Sequence, residues 1–159
     1  MALRQLIDKK GDHMINFKIS VTEDYEKLVP FFIENELEFS EEEPVPTDLV
    51  KCWEIVDGDG KLIGGFVLAK REGEFIVDGI AIDPEYRKFK LGKALLERGV
   101  EEALKRGAKR IYLVARAPGF FRKYGFETIP REESPDFFEC LTCPQYGISC
   151  HPEVMKMEL

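Results

Sequence analysis

The sequence predicts an α+β fold, in which a mixed, mostly antiparallel central sheet is flanked by helices within a single domain. The length of 159 residues is that of one domain with a substantial core. Three strand patterns in the middle of the chain follow one another with only short turns between them, which is typical of antiparallel neighbours. A doubly wound nucleotide fold, in which strands and helices alternate, is therefore not expected.

Composition and charge narrow the classes of function. Hydrophobic residues make up 44% of the chain and charged residues 33%, as in globular proteins, and no apolar run approaches the ~20 residues that span a bilayer. The net charge of −7 argues against a general nucleic-acid binder, because phosphate contacts need a basic face. We expect neither nucleic acid nor a membrane as a partner.

The N-terminus lacks the apolar stretch of a secretory signal, so we expect a cytoplasmic location. The polar run at residues 8–12 predicts that residues 1–13 are a flexible leader. The folded domain is then expected to extend over residues 14–159.

The N-terminal third predicts a strand, a helix and a loop. Residues 15–21 alternate apolar and polar side chains, as a strand does. Ser20 and Glu23 stand at capping-box spacing, which predicts a helix from there to about Phe39. A Pro-Val-Pro sequence then ends the helix, and a short helix from about Thr47 is expected to lead into the next strand.

The rest of the chain predicts a hairpin ladder followed by alternating elements. The three ladder strands are residues 52–56, 62–70 and 75–82. Apolar residues at 91–104 recur with helical spacing, and Gly107 follows two basic residues where this helix ends. Shorter patterns predict a strand at 110–115, a helix at 118–124 and strands at 126–129 and 154–159.

A basic cluster lies at the start of the long helix. Four of the seven residues at 87–93 are basic, although the chain as a whole is acidic. Cations at this end of a helix oppose its dipole, so a solvated helix start is the weaker interpretation. Unpaired N–H groups at a helix N-terminus form an anion site suited to a pyrophosphate. The cluster therefore predicts a small anionic ligand.

The strand at Ile80, the Arg87-x-x-Lys90-x-Gly92 loop and the following helix resemble the cofactor motif of GNAT N-acetyltransferases. That motif is a strand, an Arg/Gln-x-x-Gly-x-Gly/Ala loop and a helix. A Tyr-Gly-Phe sequence at 124–126 resembles the signature that closes the family's core, so the resemblance covers roughly residues 15–129 and the last strand. It implies the GNAT fold, acetyl-CoA as cosubstrate, and acetyl transfer to a primary amine of a small molecule, amino acid or peptide.

The resemblance also implies which residues hold CoA. The loop at 87–92 would wrap the pyrophosphate, and the edge of the strand at 80–82 would pair with the amides of the pantetheine arm. The cofactor-binding residues implied are Ile80, Ala81, Ile82, Arg87, Lys88, Phe89, Lys90, Leu91, Gly92, Lys93 and Ala94. The loop departs from the family at Lys90, which replaces the first glycine of the loop and brings a charge that favours phosphate.

An amine acceptor must lose a proton before it can attack, because only about 0.04% of an amine with a pKa near 10.4 is free base at pH 7. Asp78 is the predicted base, since period-two alternation would place it on one strand face with Ile80 and Ile82. Pairing with a cation on the sheet face is the alternative for Asp78. Glu74 and the acidic residues 41–43 are alternative bases.

The acid that protonates the leaving thiolate is a second open role. Many relatives carry a Tyr four residues before the Gly of the Tyr-Gly-Phe signature, and that position is Phe121 here. Tyr124 is the nearest phenol and is the predicted acid, with core packing as its alternative. Phe121 and Lys90 also keep open a catalytically silent CoA-binding or metal-binding regulatory module.

A cysteine cluster lies near the C-terminus. Cys140, Cys143 and Cys150, followed by His151, match the ligand types of zinc and of iron–sulfur sites. Reduced cysteines packed in a loop are the alternative. A similar tail accompanies some GNAT proteins that resemble amino-acid N-acetyltransferases. A homodimer is left open.

Overall fold

The computed structural model describes residues 4–7, 14–35, 48–115, 118–130, 132 and 153–159, with side chains from Asn16 onward except that of Lys88. The strands within these ranges are β1 (Arg4–Ile7), β2 (Met14–Thr22), β3 (Asp48–Asp57), β4 (Leu62–Arg71), β5 (Glu74–Ile82), β6 (Arg110–Ala115), β7 (Glu127–Thr128) and β8 (Glu153–Glu158). The helices are α1 (Tyr25–Glu34), a 3-10 helix (Pro84–Phe89), α2 (Leu91–Lys105) and α3 (Pro118–Lys123).

The strands form one mixed sheet in the order β1-β2-β3-β4-β5-β6-β8-β7. Every neighbouring pair is antiparallel except β5 and β6, which run parallel. A parallel pair requires a crossover, which the 3-10 helix and α2 supply. The predicted fold class, a mostly antiparallel sheet flanked by helices, is therefore confirmed.

The N-terminal segment differs from the sequence-based expectation. Arg4 to Ile7, within the predicted flexible leader, pair antiparallel with Phe17 to Met14 at the sheet edge. Main-chain hydrogen bonds hold such a strand and require no particular side-chain alternation, so the pattern gives little sign of it. The domain boundary between residues 13 and 14 stays a prediction.

The first helix begins later than its predicted capping box. Ser20 stands opposite Glu54 in the β2–β3 ladder, so it belongs to the strand and not to a helix cap. Asp24 caps α1 instead, since its carboxylate accepts a hydrogen bond from the Lys27 N–H at 3.2 Å. The predicted helix from Thr47 is also wrong from residue 48 on, because β3 begins there.

Each face of the sheet carries its own core. The larger core, on the α2 face, is centred on residues such as Phe66 and Leu95, both fully buried. The smaller core, on the α1 face, packs Leu28 and Phe32 of α1 against the sheet residues Cys52, Val67, Ala69, Ile76, Ala81 and Val154. Burying a side chain of this size contributes about 1.5–3 kcal/mol, so the two cores hold α1 and α2 on opposite faces.

One close approach fixes how α2 lies on the sheet. A Cβ placed on Gly99 would stand 2.3 Å from Cζ of Phe66 and 2.4 Å from its Cε1. Phe66 is fully buried and also contacts Trp53 edge-on at 5.6 Å between ring centroids, so it has no room to move away. The helix can approach β4 this closely only because residue 99 has no side chain.

We therefore expect Gly99→Ala to lower the free energy of unfolding by about 1–3 kcal/mol, measured by urea denaturation. Gly119→Ala in α3 is the matched control, because no atom lies within 4 Å of the added methyl group. The control should be neutral or slightly stabilising, since alanine favours helix by up to ~1 kcal/mol. Equal stability of the two variants would show that the contact with Phe66 does not constrain α2.

Candidate functional site

The parallel strands β5 and β6 part after a short contact. They pair only at Phe75 with Ile111 and at Ile76 with Tyr112, although β5 continues to Ile82 and β6 to Ala115. Beyond Ile76, the described strands therefore leave main-chain groups of β5 unused on the side that faces β6. An extended molecule with amide groups could pair with this free edge as an added strand does.

A bulge in β5 lies where the strands part. Leu68 stands opposite Val77 and Val67 opposite Gly79, so Asp78 is an extra residue in the β4–β5 ladder. A bulge of this kind turns the following side chains to the other face. Ile76 accordingly belongs to the α1-face core, whereas Ile80 and Ile82 pack on the α2 face.

The predicted face of Asp78 is consequently wrong. Asp78 does not share a face with Ile80 and Ile82, because period-two alternation fails at the bulge. Its carboxylate Oδ1 accepts a hydrogen bond from Nη2 of Arg71 at 3.1 Å, and 7% of each side chain is exposed. The alternative predicted for Asp78, pairing with a cation on the sheet face, is thus observed.

The charge of the same carboxylate also affects the thiol of Cys52 in β3. Burial, and secondarily the negative charge of Asp78, raise the pKa of the Cys52 thiol to about 11. The thiol is therefore protonated at neutral pH and packs as a small apolar group. Neither Arg71 nor Cys52 carries a recognisable sequence signal, since an arginine beside a turn is expected to be exposed.

The basic loop connects the end of β5 to α2. Asp83 caps the N-terminus of the 3-10 helix, because its carboxylate accepts a hydrogen bond from the Glu85 N–H at 3.0 Å. Arg87 donates from Nε to the main-chain oxygen of Ile82 at 3.1 Å, which ties the loop to the strand end. The side chain of Lys88 lies outside the described residues.

The N-terminus of α2 has the features of an anion site. Lys90 precedes the helix with a φ of 58°, no side chain caps the helix, and its first turn contains no acidic residue. The Ala94 N–H bonds to the Lys90 carbonyl at 3.3 Å, so the N–H groups before it are the ones directed out of the helix. These donors and the helix dipole favour a negatively charged group.

The other loop residues divide between core and surface. Leu91 is buried and can offer only its main chain, while Phe89 and Ala94 are half-buried against the α2-face core. Lys93 is half-buried, and its Nζ lies 3.8 Å from Oε1 of Glu97. Lys90 is exposed.

Helix α3 forms one wall of the site. A Cβ on Gly92 would stand 3.2 Å from Cζ of Phe120, so this ring lies directly against the start of α2. Tyr124 contacts Phe120 edge-on at 5.0 Å and is half-buried, whereas Phe121 is buried in the α2-face core. The structure thereby brings Tyr124 beside the loop, and Phe120 is a wall residue that sequence analysis missed.

The predicted metal site cannot be placed. Cys140, Cys143 and Cys150 lie outside the described residues. In the described ranges, no group of three or more His, Cys, Asp or Glu side chains could hold a metal ion. Among the helices of those ranges, none is long and apolar enough to cross a bilayer.

Comparison with known proteins agrees with this geometry. A sequence model of the acetyltransferase (GNAT) family matches residues 16–126. No curated protein sequence matches the chain significantly. Among solved structures, a GNAT-family acetyltransferase from Staphylococcus aureus MU50 has a TM-score of 0.64 at 16% identity, covering 90% of this chain and 99% of that one.

Two further structures share the fold. The N-acetylglutamate synthase of Neisseria gonorrhoeae, solved with coenzyme A and N-acetyl-glutamate, has a TM-score of 0.64 at 18% identity, over 89% of this chain and 35% of that one. The ribosomal-protein-S18-alanine N-acetyltransferase of Escherichia coli has a TM-score of 0.59 at 20% identity, over 89% and 93%.

The backbone of Lys90 gives a direct stability test. A non-glycine residue in the left-handed region loses roughly 1–2 kcal/mol, part of which the greater freedom of glycine in the unfolded chain offsets. We expect Lys90→Gly, without CoA, to raise the free energy of unfolding by up to about 1 kcal/mol. Lys93→Gly is the matched control and should lower it by about 1 kcal/mol, because residue 93 is helical. Equal losses in both variants would contradict the left-handed backbone at Lys90.

Proposed function

This chain belongs to the GNAT family of acetyltransferases, and we propose that it transfers an acetyl group from acetyl-CoA directly to a primary amine. The observation that carries the proposal is the placement of an uncapped, basic helix N-terminus beside a free strand edge. An elongated ligand with an anionic end and an amide-bearing arm is suited to these two features together.

The described residues fit such a cofactor. The N–H groups at the start of α2 and the side chains of Arg87, Lys90 and Lys93 would neutralise its pyrophosphate. The edge of β5 at residues 80–82 would pair with its amide groups. A Cβ on Gly92 would stand 3.2 Å from Cζ of Phe120, so the glycine lets this ring pack against the start of α2.

The reaction needs a neutral amine. Its lone pair attacks the thioester carbonyl carbon, the C–S bond breaks, the thiolate leaves, and the nitrogen loses a proton. Asp78 lies at the bulge where β5 and β6 part, so its carboxylate would meet the amine near the reacting carbon. We keep Asp78 as the proposed base and Tyr124 as the proposed acid.

The acceptor class is the least constrained part. The gonococcal synthase binds N-acetyl-glutamate and the E. coli enzyme is named for an alanine of a ribosomal protein, which favours an amino acid or a peptide amine. A cytoplasmic location is part of this proposal, and the oligomeric state is left open. A silent CoA-binding module is the second candidate, favoured by Lys90 and by Phe121 at the position where many relatives carry a tyrosine.

Acetyl-CoA should raise the melting temperature of the protein, by the equivalent of roughly 2.7 kcal/mol at a hundredfold excess over its dissociation constant. Arg87→Ala should weaken binding by removing a cation, and Gly92→Val by adding bulk near phosphate and Phe120. Lys105→Ala is the matched control, since it removes one cation from the other end of α2. An unchanged melting temperature at millimolar acetyl-CoA would end the cofactor assignment. Normal acetyl-CoA binding by both loop variants would show that this loop is not the cofactor site.

The two proposed catalytic residues should differ in their pH dependence, measured by thiol release across an amine panel. Asp78→Asn should lower turnover at neutral pH and recover partly as the pH rises toward the pKa of the amine, because the free amine becomes abundant. Tyr124→Phe should lower it by less than about tenfold, since CoA thiolate leaves with a cysteine-like pKa near 8.5. A wild-type pH profile in Asp78→Asn, together with loss of turnover in a folded Tyr124→Phe, would show that the phenol is the essential acid and that the base lies elsewhere. Tight acetyl-CoA binding without any thiol release would favour the silent module.

A further inference from the structure

A buried ion pair lies where the opening between β5 and β6 begins. Arg71 is the one charged or polar residue that is buried as a whole in the described part of the chain, with 6% exposed. Nη2 of Arg71 lies 3.1 Å from Oδ1 of Asp78. Asp78 follows Ile76, the last residue of β5 that pairs with β6, by two positions. The pair therefore lies at the vertex of the proposed acyl-transfer cleft.

Two local backbone features bring the pair together. Glu72 and Gly73 both have positive φ, 52° and 82°, as in the two-residue turn that fits a right-twisted hairpin. This turn sets Arg71 opposite Glu74 and Ala69 opposite Ile76. The bulge then adds Asp78 on the α1 face, within reach of the Arg71 side chain.

Stability alone gives little reason for such a pair. A buried ion pair can often be replaced by apolar side chains without loss of stability, whereas removal of one partner is strongly destabilising because it leaves an unpaired buried charge. The surrounding α1-face core is made of apolar side chains such as Leu28, Phe32 and Val67, which an apolar pair would match. A guanidinium beside a carboxylate favours its charged form in a site where burial opposes charge.

We propose that Arg71 is a positioning residue for acyl transfer, which keeps the Asp78 carboxylate charged and directed at the opening, where the ammonium group of the acceptor docks. This inference rests on the proposed function and narrows the acceptor to an amine that arrives as a cation. The titratable side chains on this face, besides the pair, include Cys52 from β3, Tyr112 from β6 and Tyr25 from α1, together with the ion pairs Lys27–Glu54 and Arg110–Glu74.

The experiment compares Arg71→Lys, Arg71→Met and the apolar double variant Arg71→Met/Asp78→Leu in the full chain. Melting temperature, acetyl-CoA affinity and kcat/KM for the best amine of the panel are measured for each. We expect Arg71→Lys to retain most of kcat/KM and Arg71→Met to lose about tenfold or more, with acetyl-CoA affinity unchanged. The double variant should melt near the wild-type temperature and still be as slow as Arg71→Met or slower.

An acceptor that is already neutral at pH 7 supplies a second readout. An amine of low pKa should lose much less rate in Arg71→Met than a lysine-like amine, because it arrives without a positive charge and needs no deprotonation before it attacks. Full activity in the apolar double variant, or equal losses for the two kinds of amine, would reduce the pair to a structural role. A wild-type protein that binds no acetyl-CoA, or releases no thiol with any amine, would instead overturn the proposed function, and this inference with it.

Discussion

Strand β5 is the element on which the arrangement of the site depends, because its two edges are used differently. One edge pairs with β4 along the whole strand, and the other pairs with β6 at two residues only. Since β6 runs parallel to β5, the chain must return along the sheet, and α2 makes that return. The N-terminus of α2 therefore lies at the end of the sheet where β5 and β6 have parted. A free strand edge and an anion site are thus placed together by topology.

The bulge at Asp78 adds a second consequence to this topology. It divides β5 into a first part that aligns Ile76 with the α1 face and a second part that turns Ile80 and Ile82 to the α2 face. The same extra residue places a carboxylate at the point of separation. In a regular strand Asp78 would share one face with both Ile76 and Ile80, and the bulge is what separates these two residues onto opposite faces.

Elements with strong local signals could be predicted from the sequence closely. The strand Arg110–Ala115 has its predicted bounds, and α2 ends at Lys105 as its basic last turn and the following glycine indicate. The loop of the proposed CoA site was recognisable for the same reason, since its basic residues and its glycine lie within seven consecutive residues. What could not be predicted depends on residues distant in sequence. The bulge arises from register with Val67 and Leu68, and the wall at Gly92 from Phe120. Ser20 has the spacing of a capping box, but it stands opposite Glu54 in the β2–β3 ladder and therefore belongs to a strand.

Two departures of this chain, one from regular backbone and one from apolar packing, belong to the proposed site. Lys90 adopts a left-handed conformation that glycine would adopt more easily, and it brings an ammonium group to an already basic loop. Arg71 brings a second charge into a core that apolar residues could fill. Each would lower stability unless a local gain offset it. Arg71 ends β4 opposite the first residue of β5, and Lys90 lies in the connection from β5 to α2. Strain and buried charge that persist at one place are typical of sites whose function depends on them. In the proposed function they stand at the two ends of the cleft, the phosphate end at Lys90 and the acceptor end at Asp78.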